Sequence, residues 1–158
     1  MIDIESLPYR PCAGVMLLNI RRQVFVGQRL DSTLEAWQMP QGGIDDGEDA
    51  RAAAIREIGE ETGIAPDHVE IVARAPHELR YDLPEELVGK LWKGRWRGQR
   101  QTWFLARFTG ADADIDIRTE HPEFRAWKWA DPADLPAMIV PFKKKLYEDV
   151  LKAFDGLY

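Results

Sequence analysis

Three glutamates crowd one side of a predicted helix, and this crowding limits what the chain can fold into more than any other feature of its sequence. The helix is predicted over residues 49–62, where an acidic residue stands at the start and Gly63 follows the end. At about 100° per residue, Glu60 and Glu61 fall on either side of Glu57, within an arc of roughly 100°. Like charges so placed destabilise an isolated helix, which favours a bound cation that neutralises them.

Carboxylates supply only oxygen ligands, which hard divalent cations such as Mg²⁺ and Mn²⁺ prefer. A solvated acidic helix face is the alternative, and it is the better interpretation of a single pair of glutamates taken alone. Ile55 and Ile58 lie on the opposite side of the helix, where they can face a core. Arg56 is in position to pair with Glu60, four residues further on, or to reach a neighbouring carboxylate.

Short apolar runs on both sides of this helix predict a sheet. Strands are predicted over residues 13–20, 23–30, 69–74, 101–108 and 124–129. The first two form a hairpin, and residues 33–46 are predicted to be a loop punctuated by Pro and Gly. A second helix is predicted over residues 141–154, where apolar side chains recur about every four residues. The order of these elements predicts an α+β fold, with a mixed sheet between helices, in a single domain over residues 1–158.

Charge is distributed unevenly along the chain, and this bears on its partners. The formal net charge of −6 argues against a protein that coats DNA or RNA without specificity. Residues 45–61 hold seven Asp and Glu against two Arg, whereas residues 90–107 hold six Lys and Arg and no acid. The acidic stretch suits a cation, and the basic stretch, with its interleaved tryptophans, suits phosphates or RNA. Solvated surfaces and a packed loop, with Trp103 in the core, are the alternatives.

The sequence also bears on the compartment. No apolar run reaches the roughly 18 residues that a membrane-spanning helix needs, and the first residues are not those of a secretory signal. Cys12 is the only cysteine, which excludes a disulfide within the chain. We therefore expect a cytoplasmic protein that does not contact a membrane.

The spacing around the first helix fits a longer pattern, G-x5-E-x7-R-E-U-x-E-E-x-G-U, in which U is a bulky aliphatic residue. The matching residues are Gly42, Glu48, Arg56, Glu57, Ile58, Glu60, Glu61, Gly63 and Ile64. This pattern resembles the signature of the Nudix hydrolase family. The resemblance implies an α/β/α sandwich in which the signature forms a loop, a helix and a loop. It also implies a metal-dependent attack of water on a phosphorus atom of a nucleoside polyphosphate.

The resemblance implies roles for the residues of the signature. Three helix glutamates are expected to be catalytic and to bind Mg²⁺ or Mn²⁺, one of them as a candidate general base: Glu57, Glu60 and Glu61. Arg56 is expected to orient a glutamate within the catalytic set. A backbone carbonyl near Gln41 is a candidate further metal ligand. Gly42, Glu48 and Gly63 are expected to be structural.

Segments outside the signature resemble one subgroup of the family, the bacterial RNA pyrophosphohydrolases and the similar dinucleoside polyphosphate hydrolases, with the former more alike. These segments are residues 9–11, 37–43, 79–84, 98–104 and 122–124. The likeness implies that Glu123 joins the metal and catalytic set from outside the signature. It also implies a substrate-binding set of Arg10, Arg29, Tyr81, Phe142 and Lys143.

Within that set, the resemblance implies that Arg10 contacts phosphate and that Arg29 lies beside a bound base. Phe142 is expected to stack on the first nucleotides and Lys143 to hold them. Phe142 fits the apolar stripe of the last helix equally well, so a place in the core is the alternative for it.

The function implied is the removal of pyrophosphate from 5′-triphosphorylated RNA, which exposes a transcript to decay. A dinucleoside polyphosphate such as diadenosine tetraphosphate is the alternative substrate, and the sequence barely separates the two. A non-catalytic module that binds nucleotides is a remote alternative. It is disfavoured because the chain keeps every glutamate of the signature.

Overall fold

A mixed sheet of seven strands runs through the middle of the computed structural model, which describes residues 3–158. The strands are β1 Tyr9–Leu18, β2 Val24–Arg29, β3 Gln41–Gly43, β4 Val69–Arg74, β5 Leu79–Asp82, β6 Gly98–Phe108 and β7 Phe124–Ala130. β1 and β6 pair in parallel, and the other strand pairings in the described chain are antiparallel. Met1 and Ile2 belong to the single domain predicted over 1–158 but lie outside the described residues.

The helices are α1 Ala50–Thr62, α2 Leu135–Met138 and α3 Lys144–Ala153. α1 begins where the side chain of Asp49 accepts the backbone N–H of Ala52 at 2.7 Å. It ends at Gly63, whose φ of 72° belongs to the left-handed region that favours glycine. The helix predicted over residues 49–62 is therefore confirmed. Within residues 3–158, no helix combines the length and the apolar character that crossing a bilayer requires.

Alternate residues of β1 belong to two separate cores. Ala13, Val15 and Leu17 pack in the cluster that contains the buried residues of α1, whereas Met16 and Leu18 pack in the cluster that contains those of α3. Successive side chains of a strand point to opposite faces of a sheet, so α1 and α3 cover opposite faces. The expected α+β architecture, an α/β/α sandwich with a mixed sheet between helices, is confirmed.

Two predictions about the first half of the chain were partly wrong, one at the ends of a strand and one within a loop. The first strand ends before Ile20, which lies in a turn and is 96% exposed. Asn19 closes this turn because its side-chain oxygen accepts the backbone N–H groups of Arg21 and Gln23, both at 2.9 Å. The segment 33–46, predicted to be a loop, contains β3, which gains its hydrogen-bonding partners from the distant strand β1.

The helix predicted over residues 141–154 is divided into two parts. Pro141–Lys143 forms a 3-10 turn, and the α-helix begins at Lys144. Phe142 is 37% exposed, whereas the other members of the stripe are buried: Leu146, Val150 and Phe154. The core alternative for Phe142 is therefore wrong, because the turn rotates this residue away from the stripe.

Candidate active site

Strand β3 lies directly against the glutamate side of α1. A Cβ atom placed on Gly42 would lie 2.1 Å from Cδ of Glu57, so a side chain here would occupy the space of that carboxylate. One residue earlier, the backbone N–H of Gln41 donates to Oε2 of Glu61 at 3.2 Å. The pairing of β3 with β1 thus sets the positions of both glutamates relative to the sheet.

Arg56 on α1 donates hydrogen bonds to three acidic side chains, those of Glu57 and Glu60 on the helix and that of Glu48 just before it. Its Nε and Nη2 atoms each donate to one carboxylate oxygen of Glu48 at 2.9 Å. Its Nη1 donates to Glu57 at 2.9 Å and to Glu60 at 3.1 Å, and Nη2 also donates to the carbonyl of Gly43 at 2.8 Å. The hydrogen bonds from Arg56 lower the pKa of Glu48 to about 2. This network keeps two of the predicted ligands, Glu57 and Glu60, within reach of one guanidinium.

Two of the three helix glutamates are withdrawn from water. Glu61 is 4% exposed and the side chain of Glu57 is 13% exposed, whereas that of Glu60 is 56% exposed. Burial, and then the charges of Glu57 and Glu123, raise the pKa of Glu61 well above its usual value. Burial also raises the pKa of Glu57, against the opposing effect of Arg56. A nearby cation would stabilise the ionised form of both carboxylates.

Glu123 reaches the same region from the residue that precedes β7. Its charge contributes to the raised pKa of both Glu57 and Glu61. Its Oε2 atom is 3.9 Å from Nη2 of Arg29. Arg29 also makes a two-pronged pair with Asp31, at 2.7 and 2.6 Å. Sequence reasoning missed Asp31, although its position two residues after Arg29 was an available signal.

The donors at this site suit a hard divalent cation, because every predicted ligand is an oxygen. Within residues 3–158, the side-chain oxygen of Gln41 is buried and has no hydrogen-bond partner, so it is an additional oxygen that a cation could use. No three acidic, histidine or cysteine side chains of the described chain meet at metal-ligand spacing. Glu57 and Glu60 point to Arg56 and Glu61 points to Gln41, so shared binding of a cation requires these carboxylates to rotate.

Arg10 differs from the other arginines of the site because it forms no salt bridge with any residue of the described chain. Its Nη2 atom lies 2.6 Å from the position that a Cβ atom on Gly43 would occupy. Its Cζ atom is 5.8 Å from the ring centroid of Trp92. The N–H groups of Arg10 therefore stay available to an anion beside β3.

Two aromatic residues and a lysine form a further group, within electrostatic range of Arg10 and Arg29. The ring centroids of Tyr81 and Phe142 are 5.9 Å apart, and Nζ of Lys143 is 5.0 Å from the first and 5.8 Å from the second. Burial lowers the pKa of Lys143 to about 8, and the charge of Arg29 acts in the same direction. Burial raises the pKa of Tyr81, while the charges of Arg10 and Arg29 act against it. The predicted substrate-binding residues are thus brought into one region.

A cavity of about 860 Å³ lies at the opposite end of β1 and contains none of the predicted site residues. It is lined by residues that include Leu18, Arg22, Arg107 and Trp129. Its volume alone does not indicate catalysis. The glutamate region is the better candidate site, because it combines buried carboxylates with free oxygen and N–H groups.

Known proteins resemble this chain in sequence and in fold. A family model described as a NUDIX domain matches residues 8–150. An RNA pyrophosphohydrolase of Sphingopyxis alaskensis is 62% identical over 157 residues, 99% of each chain. One of Roseobacter denitrificans is 61% identical over 154 residues, 98% of this chain and 96% of the other.

Two solved structures show the same fold at low sequence identity. A binary complex of a C. elegans Ap4A hydrolase has a TM-score of 0.64 and 20% identity, covering 92% of this chain and 99% of the other. An E. coli dihydroneopterin triphosphate pyrophosphohydrolase has a TM-score of 0.67 and 20% identity, covering 90% and 96%.

Proposed function

The chain belongs to the Nudix family, and on that premise we propose that it removes pyrophosphate from the 5′ end of triphosphorylated RNA. It is a Nudix hydrolase, an enzyme that cleaves phosphoanhydride bonds. The observation that supports RNA as the substrate is the sequence identity of 62% and 61%, over nearly the full length of the chain, with two RNA pyrophosphohydrolases. The arrangement of acidic groups on one side of Gly43 and of Arg10 on the other supports the same reaction.

Hydrolases of this family generally depend on a divalent metal, and we propose Mg²⁺, or Mn²⁺ in its place. The proposed ligands are Glu57, Glu60, Glu61 and Glu123, together with Gln41. When a divalent cation is bound, it supplies charge neutralisation at the phosphate oxygens and promotes ionisation of the attacking water.

The side chains around the metal ligands position them and the substrate. Arg56 keeps the carboxylates of Glu57 and Glu60 beside one another through its shared Nη1 group. One glutamate of the ligand set accepts a proton from the attacking water. Arg10 donates its unpaired N–H groups to phosphate oxygens, where charge is spread during phosphoryl transfer.

The nucleotide end of the substrate is held by the aromatic pair and its lysine. The exposed ring of Phe142 gives a nucleobase a surface on which to stack, and the ring of Tyr81 packs against Phe142 at an interplanar angle of 46°. Lys143 supplies a cation that lies over both rings of the pair. Arg29, held by Asp31, lies beside the base.

The cellular setting follows from the substrate. We propose that residues 1–158 act as one domain in the cytoplasm, where removal of the 5′ pyrophosphate exposes transcripts to decay. The net charge of −6 fits an enzyme that selects RNA ends rather than one that coats DNA or RNA.

A side-by-side assay tests this function. A short 5′-triphosphorylated RNA and diadenosine tetraphosphate are supplied at equal concentration with Mg²⁺, and released pyrophosphate and nucleotide products are measured. We expect faster release from the RNA. A clear preference for the dinucleotide would make the enzyme a dinucleoside polyphosphate hydrolase. Release from neither substrate would favour a binding module.

A further inference from the structure

The loop between β5 and β6 carries backbone strain at consecutive residues. Trp92 and Lys93 have φ values of 51° and 59°, and Gly94 follows at 71°. This left-handed region is uncommon for residues other than glycine, and for a bulky side chain such as that of Trp92 it is an outlier. Such conformations persist only where the surrounding structure fixes them, and they cluster at functional sites.

Contacts within the loop and with neighbouring parts of the chain hold this loop in its conformation. A side chain on Gly94 would begin 3.2 Å from Cα of Gly89, so the loop closes on itself around the strained residues. At its far end, the backbone N–H of Arg97 donates to the carbonyl of Pro8 at 3.0 Å, next to the start of β1. Trp92 is half-buried and packs against the core cluster on the α3 side of the sheet.

The strained loop places the indole of Trp92 beside the guanidinium of Arg10. The Cζ atom of Arg10 lies 5.8 Å from the centroid of this ring, within the range of a cation–π contact. Gly43 packs against the same guanidinium, with Nη2 of Arg10 in the space where a larger residue would place its Cβ. Arg10 is therefore held between the loop and strand β3.

This way of holding an arginine differs from the others at the site. Arg29 and Arg56 are fixed by the carboxylates of Asp31 and Glu48, which use their N–H groups and offset their charge. A cation–π contact brings no carboxylate to a guanidinium, so it neither offsets the charge nor occupies the N–H groups with hydrogen bonds. Arg10 thus keeps the donors that two-pronged binding of a phosphate requires.

We propose that Trp92 is a positioning residue of the active site, which holds Arg10 against Gly43 so that its N–H groups face the terminal phosphates of a 5′-polyphosphorylated substrate. The inference rests on the proposed function for the identity of the substrate. The contact between Trp92 and Arg10 is tested separately from that function.

The kinetic test compares variants of two tryptophans in one loop. Trp96 is the matched control, because it is also half-buried and has an arginine, Arg95, 5.4 Å from its ring centroid. We expect Trp92→Leu to lower kcat/KM by roughly 3- to 30-fold, as the usual strength of a cation–π contact implies. Trp92→Phe should restore most of the loss, and Trp96→Leu should stay near the wild type. An equal loss in Trp96→Leu would overturn the proposal.

A double-mutant cycle asks whether Trp92 acts through Arg10. In an Arg10→Gln background, Trp92→Leu should lower kcat/KM by less than a factor of two, because the group that it positions is gone. Full additivity of the two losses would overturn the proposal. Melting temperatures of all variants identify any that lose the fold. If Trp92→Leu does not fold, Trp92→Phe takes its place in the test.

A spectroscopic measurement tests the contact without any substrate. The Nε–Hε signal of Arg10 is assigned by its loss in Arg10→Lys and compared among the variants. We expect an upfield displacement by the indole ring in the wild type, which Trp92→Leu removes and Trp96→Leu leaves in place. A signal unchanged by Trp92→Leu would overturn the proposal. If the signal moves as expected but no RNA is cleaved, the proposed function fails and the contact stands.

Discussion

The backbone N–H of Gln41 donates a hydrogen bond of 3.2 Å to the carboxylate of Glu61, a residue that is only 4% exposed. One hydrogen bond does not offset the removal of a carboxylate from water, so the pKa of Glu61 is well above its usual value. The proposed metal site is therefore expected to be a source of instability whenever no cation is bound.

The first prediction concerns stability in a metal chelator. A raised pKa in the folded state means that the contribution of Glu61 to stability is present below pH 4.5 and is lost as pH rises through the folded value. Glu61→Gln keeps an oxygen for the N–H of Gln41 and removes the charge. At pH 8 we expect it to raise stability by about 1–2 kcal/mol, or roughly 2–8 °C in Tm, and to lower turnover.

Calorimetry at pH 5 and pH 8, with chelator and with Mg²⁺, checks this prediction. The gain of Glu61→Gln should be larger at pH 8, and Mg²⁺ should stabilise the wild type more than the variant. A variant that is less stable than the wild type at pH 8 in chelator would contradict the account of this buried carboxylate.

The second prediction concerns Glu57. Glu57→Gln should lower kcat by about 10²–10⁴-fold, because it removes a carboxylate from the set proposed to bind the metal and to accept a proton. Glu148→Gln is the matched control, since Glu148 is an exposed glutamate on α3. Steady-state kinetics with triphosphorylated RNA and circular dichroism give the two readouts. Near-normal activity of Glu57→Gln would remove this residue from the chemistry.

The third prediction compares two glycines. Gly42→Ala should lower kcat/KM by about 10²-fold, because a Cβ at 2.1 Å from Cδ of Glu57 forces that carboxylate to move. At Gly59, in the middle of α1, the nearest atom to an added Cβ is the carbonyl oxygen of Ile64 at 3.7 Å, an ordinary contact. Gly59→Ala should keep its activity and gain about 0.5–1 kcal/mol of stability. Activity and urea unfolding of both variants decide whether the two positions differ in this way.

The fourth prediction is a pH dependence of substrate binding. Lys143 has a pKa of about 8, so its positive charge is present below this pH and is lost as the pH rises through it. We expect KM for an anionic substrate to rise above about pH 8. Lys143→Arg should remove this inflection, since arginine stays charged, and Lys144→Arg, at an exposed neighbour, should not. An inflection that survives in Lys143→Arg would assign the titration to another group.

The parts of the molecule that the sequence predicted well depend on local patterns. α1 was predicted because its cap at Asp49, its end at Gly63 and its glutamate spacing all lie within one segment. β3 was missed, since Gln41–Gly43 has no strand pattern and is a strand only through its pairing with β1. Phe142 fitted a helical period that the 3-10 turn interrupts.

The residues that contact the two arginines proposed to bind substrate were harder to predict than the arginines themselves. Trp92 contacts Arg10 across a loop whose conformation no short sequence pattern encodes. The burial of the side-chain oxygen of Gln41 likewise depends on how α1 and β3 meet. The metal and substrate roles assigned to the individual residues stay predictions until the variants are measured.

The strained loop also has a consequence for laboratory evolution. Glycine at position 93 would adopt the left-handed backbone without strain and would gain about 1 kcal/mol, but it would loosen the segment that carries Trp92. A library selected only for survival of heating would accumulate glycine here, while a library selected for turnover would keep Lys93 and Trp92. The two populations would diverge first at a loop that contains none of the proposed metal ligands, and the order of substitutions would reveal which property was under selection.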